Sequence, residues 1–309
     1  MKRKLVRQGA ATMMVSLPAK WIKKLNLNKG DEIDLAEEDD KLIISGKSIE
    51  IAKKTIDYDL KLIPKREDEN YRYIRSLIGS AYRKGYDSVK LKFEKTSALK
   101  LIQKAADSLI GYEVMEQSEN SCTIKSMISK ADVDFDSSFR KIFHVIKLMQ
   151  KIILEDINKK KFERLAEISQ LKNTGWKFRD LCLRIISTDS EFKKDSFAYS
   201  IIVWSVEKIS SQLNRIYNYL SRKNPKNISQ ETLKFIKSIN NYFEMFEKAY
   251  FSETLDLNLQ ISITKEDIFK QSYKLFEKKQ QNNVLIHLYS VIVRRIYDMN
   301  SSLIMIKSK

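Results

Sequence analysis

The sequence predicts a multidomain α+β protein: a small strand-rich N-terminal module, a small α/β domain, then an all-α region of tandem three-helix bundles. Three observations carry this. Near the N-terminus apolar and polar residues alternate at period two, as half-buried strands do. From Asp132 onward apolar residues recur every three or four positions, as the buried stripe of a helix does. Only seven Gly and three Pro occur in 309 residues, which favours long helices over a loop-rich fold. The predicted boundaries are 1–46, 47–130, 131–224 and 225–309.

In the first module Leu5, Met13, Val15 and Leu17 alternate with polar neighbours. Gly9 stands where a chain reversal needs a permissive residue. Pro18 opens a short helix, Ala19 to Leu25, at a position where a missing N–H costs least. Lys29-Gly30-Asp31 turns the chain into a second strand pair near Glu32 to Leu35 and Lys41 to Ser45, joined by an acidic loop from Glu37 to Asp40. So few residues make a poor independent core, and pairing with a second copy is the expected remedy. Eight Lys or Arg precede the first acidic residue, Asp31. Cations interleaved with structure-forming apolar residues are what gripping a phosphate backbone requires. The plain alternative is a solvated basic surface.

Gly9 to Asp31, with Val15-Ser16-Leu17-Pro18 and Leu25-Asn26-Leu27-Asn28-Lys29-Gly30-Asp31, resembles the SpoVT/AbrB and MazE family. The family pattern is S-[IL]-P followed by L-x-L-x-x-G-D. Asn26 departs from it, since the family usually has Gly there; Asn also tolerates a left-handed backbone. The resemblance implies a swapped-hairpin β-barrel that binds DNA as a homodimer. By position it implies DNA contacts from Arg3, Lys4, Arg7, Lys20, Lys23 and Lys24.

The segment from Lys47 reads as a small α/β unit. Ile49 to Leu62 alternates as one or two strands ending at Pro64. Arg72 to Arg83 is a predicted helix with Ile74, Leu77, Ile78 and Ala81 on one face, closed by Gly85. Val89 to Phe93 alternates as a strand. Ser97 is the predicted cap of a helix carrying Leu99, Ile102 and Ala106 to Leu109 inward, which Gly111 ends. Tyr112 to Glu116 and Ser121 to Met127 form a predicted hairpin around Glu119-Asn120. The segment has no Gly-rich phosphate loop, and its expected role is spacing or dimerisation.

The helical region is marked by four seams: Phe139 to Ile157, Ile202 to Leu220, Ile236 to Tyr250 and Leu285 to Leu303. Further helices are expected near Lys160 to Ser187 and Lys265 to Lys279. A linker from Ser221 to Asn227, with Pro225, divides two three-helix units. Phe139, Ile142, Ile146 and Met149 correspond to Ile236, Ile239, Phe243 and Phe246, and Val206 to Ile209 correspond to Val293 to Ile296. Both matches suit a tandem duplication.

Phe162 to Ile168 followed by Leu181 to Ile186 is similar to the second helix of PhoU repeats. Ser205 to Ile209 and Val293 to Asp298 are similar to their third helices. The three parts in this order resemble phosphate uptake regulators of archaea. PhoU repeats often hold metal through E-x-x-x-D on the third helix, where residues four apart share a face. Here the copies read Glu207 to Ser211 and Arg294 to Asp298, each lacking one carboxylate. Glu207 and Asp298 are therefore weak metal candidates, expected instead to be polar residues near the bundle surface, and no cofactor is expected.

Motif checks for Walker, Rossmann, zinc and serine-nucleophile sites are empty, and His144 and His287 lie on predicted helices with no partner in reach of sequence reasoning. No enzyme is expected. Cys122 and Cys182 fit no disulfide or metal framework and suit buried apolar positions. No signal-peptide run or membrane span is found, so a cytoplasmic protein is expected. The resemblances together imply a DNA-binding regulator of phosphate uptake, expected to repress, with phosphate-transport or phosphate-signalling proteins as further partners. Two alternatives stay open: a PhoU-type adaptor of a transporter or kinase that does not bind DNA, and an antitoxin-like module that sequesters a toxin.

Overall fold

The computed structural model describes residues 2–9, 12–38, 41–46, 54–128, 133–225, 227–278 and 282–308. The chain forms two compact units, Met1–Lys54 and Thr55–Lys309. The expected boundary after residue 46 is followed by Lys47 to Lys53, outside the described residues; so are Asp39 and Asp40 of the acidic loop.

The first unit holds two hairpins and one short helix. Strands β1 (Val6–Gln8) and β2 (Thr12–Met14) pair antiparallel, with Arg7 opposite Met13. Gly9 leaves β1 at φ +80°, a left-handed backbone suited to glycine. Helix α1 (Ala19–Lys24) starts from Pro18 as its N-cap. Asn26 follows at φ +51°, the left-handed conformation that Asn tolerates. At the next turn the Asn28 amide donates to Asp31 Oδ2 at 2.8 Å, and Gly30 lies at φ +96°. Strands β3 (Ile33–Glu38) and β4 (Lys41–Gly46) then pair antiparallel, with Leu35 opposite Ile44. The two hairpins are separate two-stranded sheets.

The second unit opens with a four-stranded sheet. Its strands are β5 (Thr55–Leu60), β6 (Ser88–Phe93), β7 (Tyr112–Gln117) and β8 (Ser121–Ser126), in the order β5-β6-β8-β7. Only the β5–β6 pair is parallel, because helix α2 (Glu67–Arg83) connects those two strands. The strand expected from Ile49 is described from Thr55 on. Helix α2 begins five residues before the expected Arg72, in an acidic first turn that suits a helix N-terminus. Helix α3 (Ala98–Ala106) follows β6; Ser97 itself has helical φ and ψ, and its side chain makes no cap hydrogen bond, contrary to expectation.

Six long helices complete the unit: α4 (Phe135–Lys159), α5 (Leu165–Thr188), α6 (Ser196–Lys223), α7 (Gln230–Phe251), α8 (Asp256–Glu277) and α9 (Asn283–Lys307). Asp134 caps α4 by accepting the Ser137 amide at 2.7 Å, and Ser229 caps α7 by accepting that of Thr232 at 3.1 Å. Helices α4, α5 and α6 pack on one another, as do α7, α8 and α9. The most extensive helix contact joins α6 to α9, the pair that the internal correspondence equates. Predicted boundaries at 130 and 224 fall inside this one compact unit.

Helix α2 is fastened to α5 by ion pairs on one buried carboxylate. Asp180 on α5 is fully buried and accepts from Arg75 Nη2 at 2.5 Å, Arg83 Nη1 at 3.0 Å and Arg179 Nη2 at 2.8 Å. Burial pushes its carboxyl up, but Arg179, Arg75 and Arg83 together hold it below the ordinary carboxylate range. Its contribution to stability is therefore present above that range and lost as pH falls through the depressed value. Replacing Asp180 by Ala leaves three guanidinium groups facing the gap. The expected loss is about 3–5 kcal/mol, read as a lower urea midpoint.

Candidate nucleic-acid interface

In the first unit apolar side chains lie open. Leu5 is 66% exposed, Met13 55%, and Leu35 and Leu42 59% each. The cause is topological. Ile33, Leu35, Leu42 and Ile44 share one face of the β3–β4 hairpin by register. At one end Leu25 approaches Gly46, where an added Cβ would lie 3.0 Å from Leu25 Cδ1, so that end is covered. At the other end Leu35 and Leu42 are bare. The β1–β2 hairpin does not pair with it. The half-buried strands expected from the alternation are thus exposed in the single chain.

Helix α1 places its residues by spacing. Lys20, Lys23 and Lys24 stand at i, i+3 and i+4 and share one face. Trp21, Ile22 and Leu25 occupy the opposite face and are half-buried, while the three lysines are exposed. Lys23 and Lys24 fall in the last turn, where cations suit the helix dipole. Arg7 lies on β1, with Arg3 and Lys4 in the extended segment before it; all three are exposed. The α1 trio is thus brought onto one surface, and the other three share the N-terminal strand and its approach.

The two weak metal candidates part company. Glu207 on α6 is not near the bundle surface, as expected, but fully buried. Its Oε2 accepts from Arg179 Nη1 at 2.8 Å and its Oε1 from Ser211 Oγ at 2.8 Å. A carboxylate so deep needs a partner, and Arg179 supplies it. Asp298 on α9 is exposed. Among the described residues no group of three or more His, Cys, Asp or Glu is placed to hold a metal ion. His144 and His287 are exposed, and Cys122 and Cys182 are buried free thiols, both pushed up in pKa by burial. Sequence reasoning missed the Arg179–Asp180–Glu207 network. The signal was there in part: Arg179, Asp180 and Arg184 interrupt the apolar run from Phe178 to Ile186.

No helix among the described residues is long and apolar enough to cross a membrane. No curated protein and no solved structure matches the chain. A family model described as "Antidote-toxin recognition MazE, bacterial antitoxin" matches residues 6–54. That segment contains both hairpins, α1 and four of the six candidate cations, and it is a MazE/AbrB-like antitoxin-type domain.

Proposed function

We propose that the chain is a non-enzymatic, DNA-binding transcriptional regulator that works as a homodimer. One observation carries this: the MazE/AbrB-like segment is also where cations crowd and where two hairpins stand unpaired with open apolar faces. Interlocking hairpins from two copies cover Leu35, Leu42 and Met13 and give one body two sets of cations. Arg3, Lys4, Arg7, Lys20, Lys23 and Lys24 then make phosphate contacts, with arginine also reading base edges. The helical unit is the sensory or partner-binding part. Its sequence resemblance to PhoU repeats supports a finer reading, repression of phosphate uptake.

The test is a salt titration of the full chain on a mixed-sequence duplex, alongside sedimentation. A dimer is expected, with log affinity falling linearly against log salt at a slope of about −5 or steeper. A monomer, or an affinity indifferent to salt, overturns the reading. The family description favours a second reading, an antitoxin-like module, which predicts a stoichiometric complex with a small toxin encoded beside it. A regulator without that role forms none.

A further inference from the structure

Helices α4 and α7 run side by side with little direct backbone approach below the aromatic contact of Phe143 with Phe243, whose ring centroids are 5.4 Å apart. Between them lies a groove of about 520 Å³, within the range of small-molecule sites. Two side chains lining it are nearly sealed from solvent. Gln150 on α4 is 4% exposed and Asn240 on α7 is 8% exposed. Gln150 Nε2 and Asn240 Oδ1 have no hydrogen-bond partner among the described residues. Leaving a buried donor and a buried acceptor unmade costs stability, and folded proteins rarely keep such a pair without a use. An apolar pair at these positions would serve packing better.

The lining also carries charge. Lys147, Lys151 and Lys237 border the groove, and so do two carboxylates, Glu155, which is held by Arg164 at 3.0 Å, and Glu244. Lys147 is bound to Glu247 at 2.8 Å; Lys151 and Lys237 are exposed. The geometry points to a binding site in the α4–α7 groove for a small hydroxylated anion, of sugar-phosphate or hydroxycarboxylate type. A hydroxyl group both donates and accepts, so it satisfies Asn240 Oδ1 and Gln150 Nε2. The anionic end takes Lys151 and Lys237, the ammonium groups acting as point charges. Apolar lining is confined to Leu154 among the groove residues, which disfavours a lipid or a stacked base. The inference stands apart from the DNA-binding reading, since it uses only the second unit.

The experiment is calorimetric titration of the full chain with ribose 5-phosphate and citrate as the two anion classes, and with ribose and inorganic phosphate as controls. One of the two hydroxylated anions is expected to bind at least tenfold more tightly than either control, and which one does so identifies the class. The double variant Gln150→Leu/Asn240→Leu is expected to lose that preference while its melting temperature stays level or rises, because two unsatisfied polar atoms are gone. Lys151→Ala/Lys237→Ala is expected to weaken binding about tenfold. Binding of inorganic phosphate as tight as that of the hydroxylated anions, no binding by any probe, or a leucine variant that melts lower and binds unchanged would each overturn the assignment.

Discussion

Replacing Arg3, Lys4 and Arg7 together by Ala is expected to cut DNA affinity by about four orders of magnitude at physiological salt and to flatten the salt slope by about 5. The magnitude follows from counting. Three phosphate contacts per copy are six per dimer, and each neutralised phosphate releases most of one counterion, which is also why the loss grows as salt falls. The fold should survive, because all three side chains are exposed in the single chain; Arg7 stands opposite Met13, so the dimer is checked as well. Circular dichroism and sedimentation of the variant should match the parent. Lys23→Gln on α1 gives an internal scale: one cation per copy, a slope change of about 2, and a uniform loss across sequences. A triple variant that keeps its slope would place the contacts elsewhere and leave these residues as a solvated surface.

What the sequence made legible depended on range. Signals within a few residues translated directly: Pro18 before α1, the Gly30-Asp31 turn, the left-handed Asn26, the seams of α4, α6, α7 and α9. Each is a local steric or periodic effect that needs no distant partner. Two helix starts were not legible for an equally physical reason. The first turn of α2, Glu67 to Asn70, carries no apolar period, only its acidic bias. The first half of α8 reads Leu257, Leu259, Ile261, Ile263, an alternation of strand type. It is helical all the same, so that only Ile261 is fully buried while Leu259 and Ile263 lie open.

The candidate site divided in the same way. The cations and their grouping on α1 follow from spacing alone. The exposure of Leu35 and Leu42 does not, because alternation says which residues share a face and not whether one chain suffices to cover it. Glu207 shows the limit on charges: its partner Arg179 is 28 residues away on another helix, and no periodicity announces that pairing.

Raising the pH is expected to unfold the helical unit in one steep step beginning near pH 10, where an unfolded tyrosine ionises. Among the phenols whose pKa burial raises, six move furthest: Tyr112 and Tyr217 to about 12, and Tyr82, Tyr242, Tyr250 and Tyr289 further. The hydrogen bonds explain why ionisation inside the fold is so costly. Tyr82 donates to the Ile110 carbonyl at 2.8 Å, Tyr112 to that of Tyr86 at 2.6 Å, and Tyr242 to that of Ile261 at 3.0 Å. Tyr217 donates to the Asp156 carboxylate at 2.5 Å, and that bond adds to its rise. A phenolate would turn each donor into an anion facing an oxygen. With folded values raised, the stability these groups contribute is whole below pH 10 and is lost as pH climbs toward their folded values. Each phenol removes about 1.4 kcal/mol per pH unit, so six remove about 8, comparable to the entire stability of a typical domain. The surface lysine pairs add little, being worth less than about 1 kcal/mol each. Tyrosinate absorbance and helical circular dichroism should therefore change together, and Tyr289→Phe should move the step to higher pH. Ionisation of all 14 tyrosines near pH 10 with the helices intact would mean that these phenols are reached by water and that the core between α6 and α9 is far looser than its packing implies.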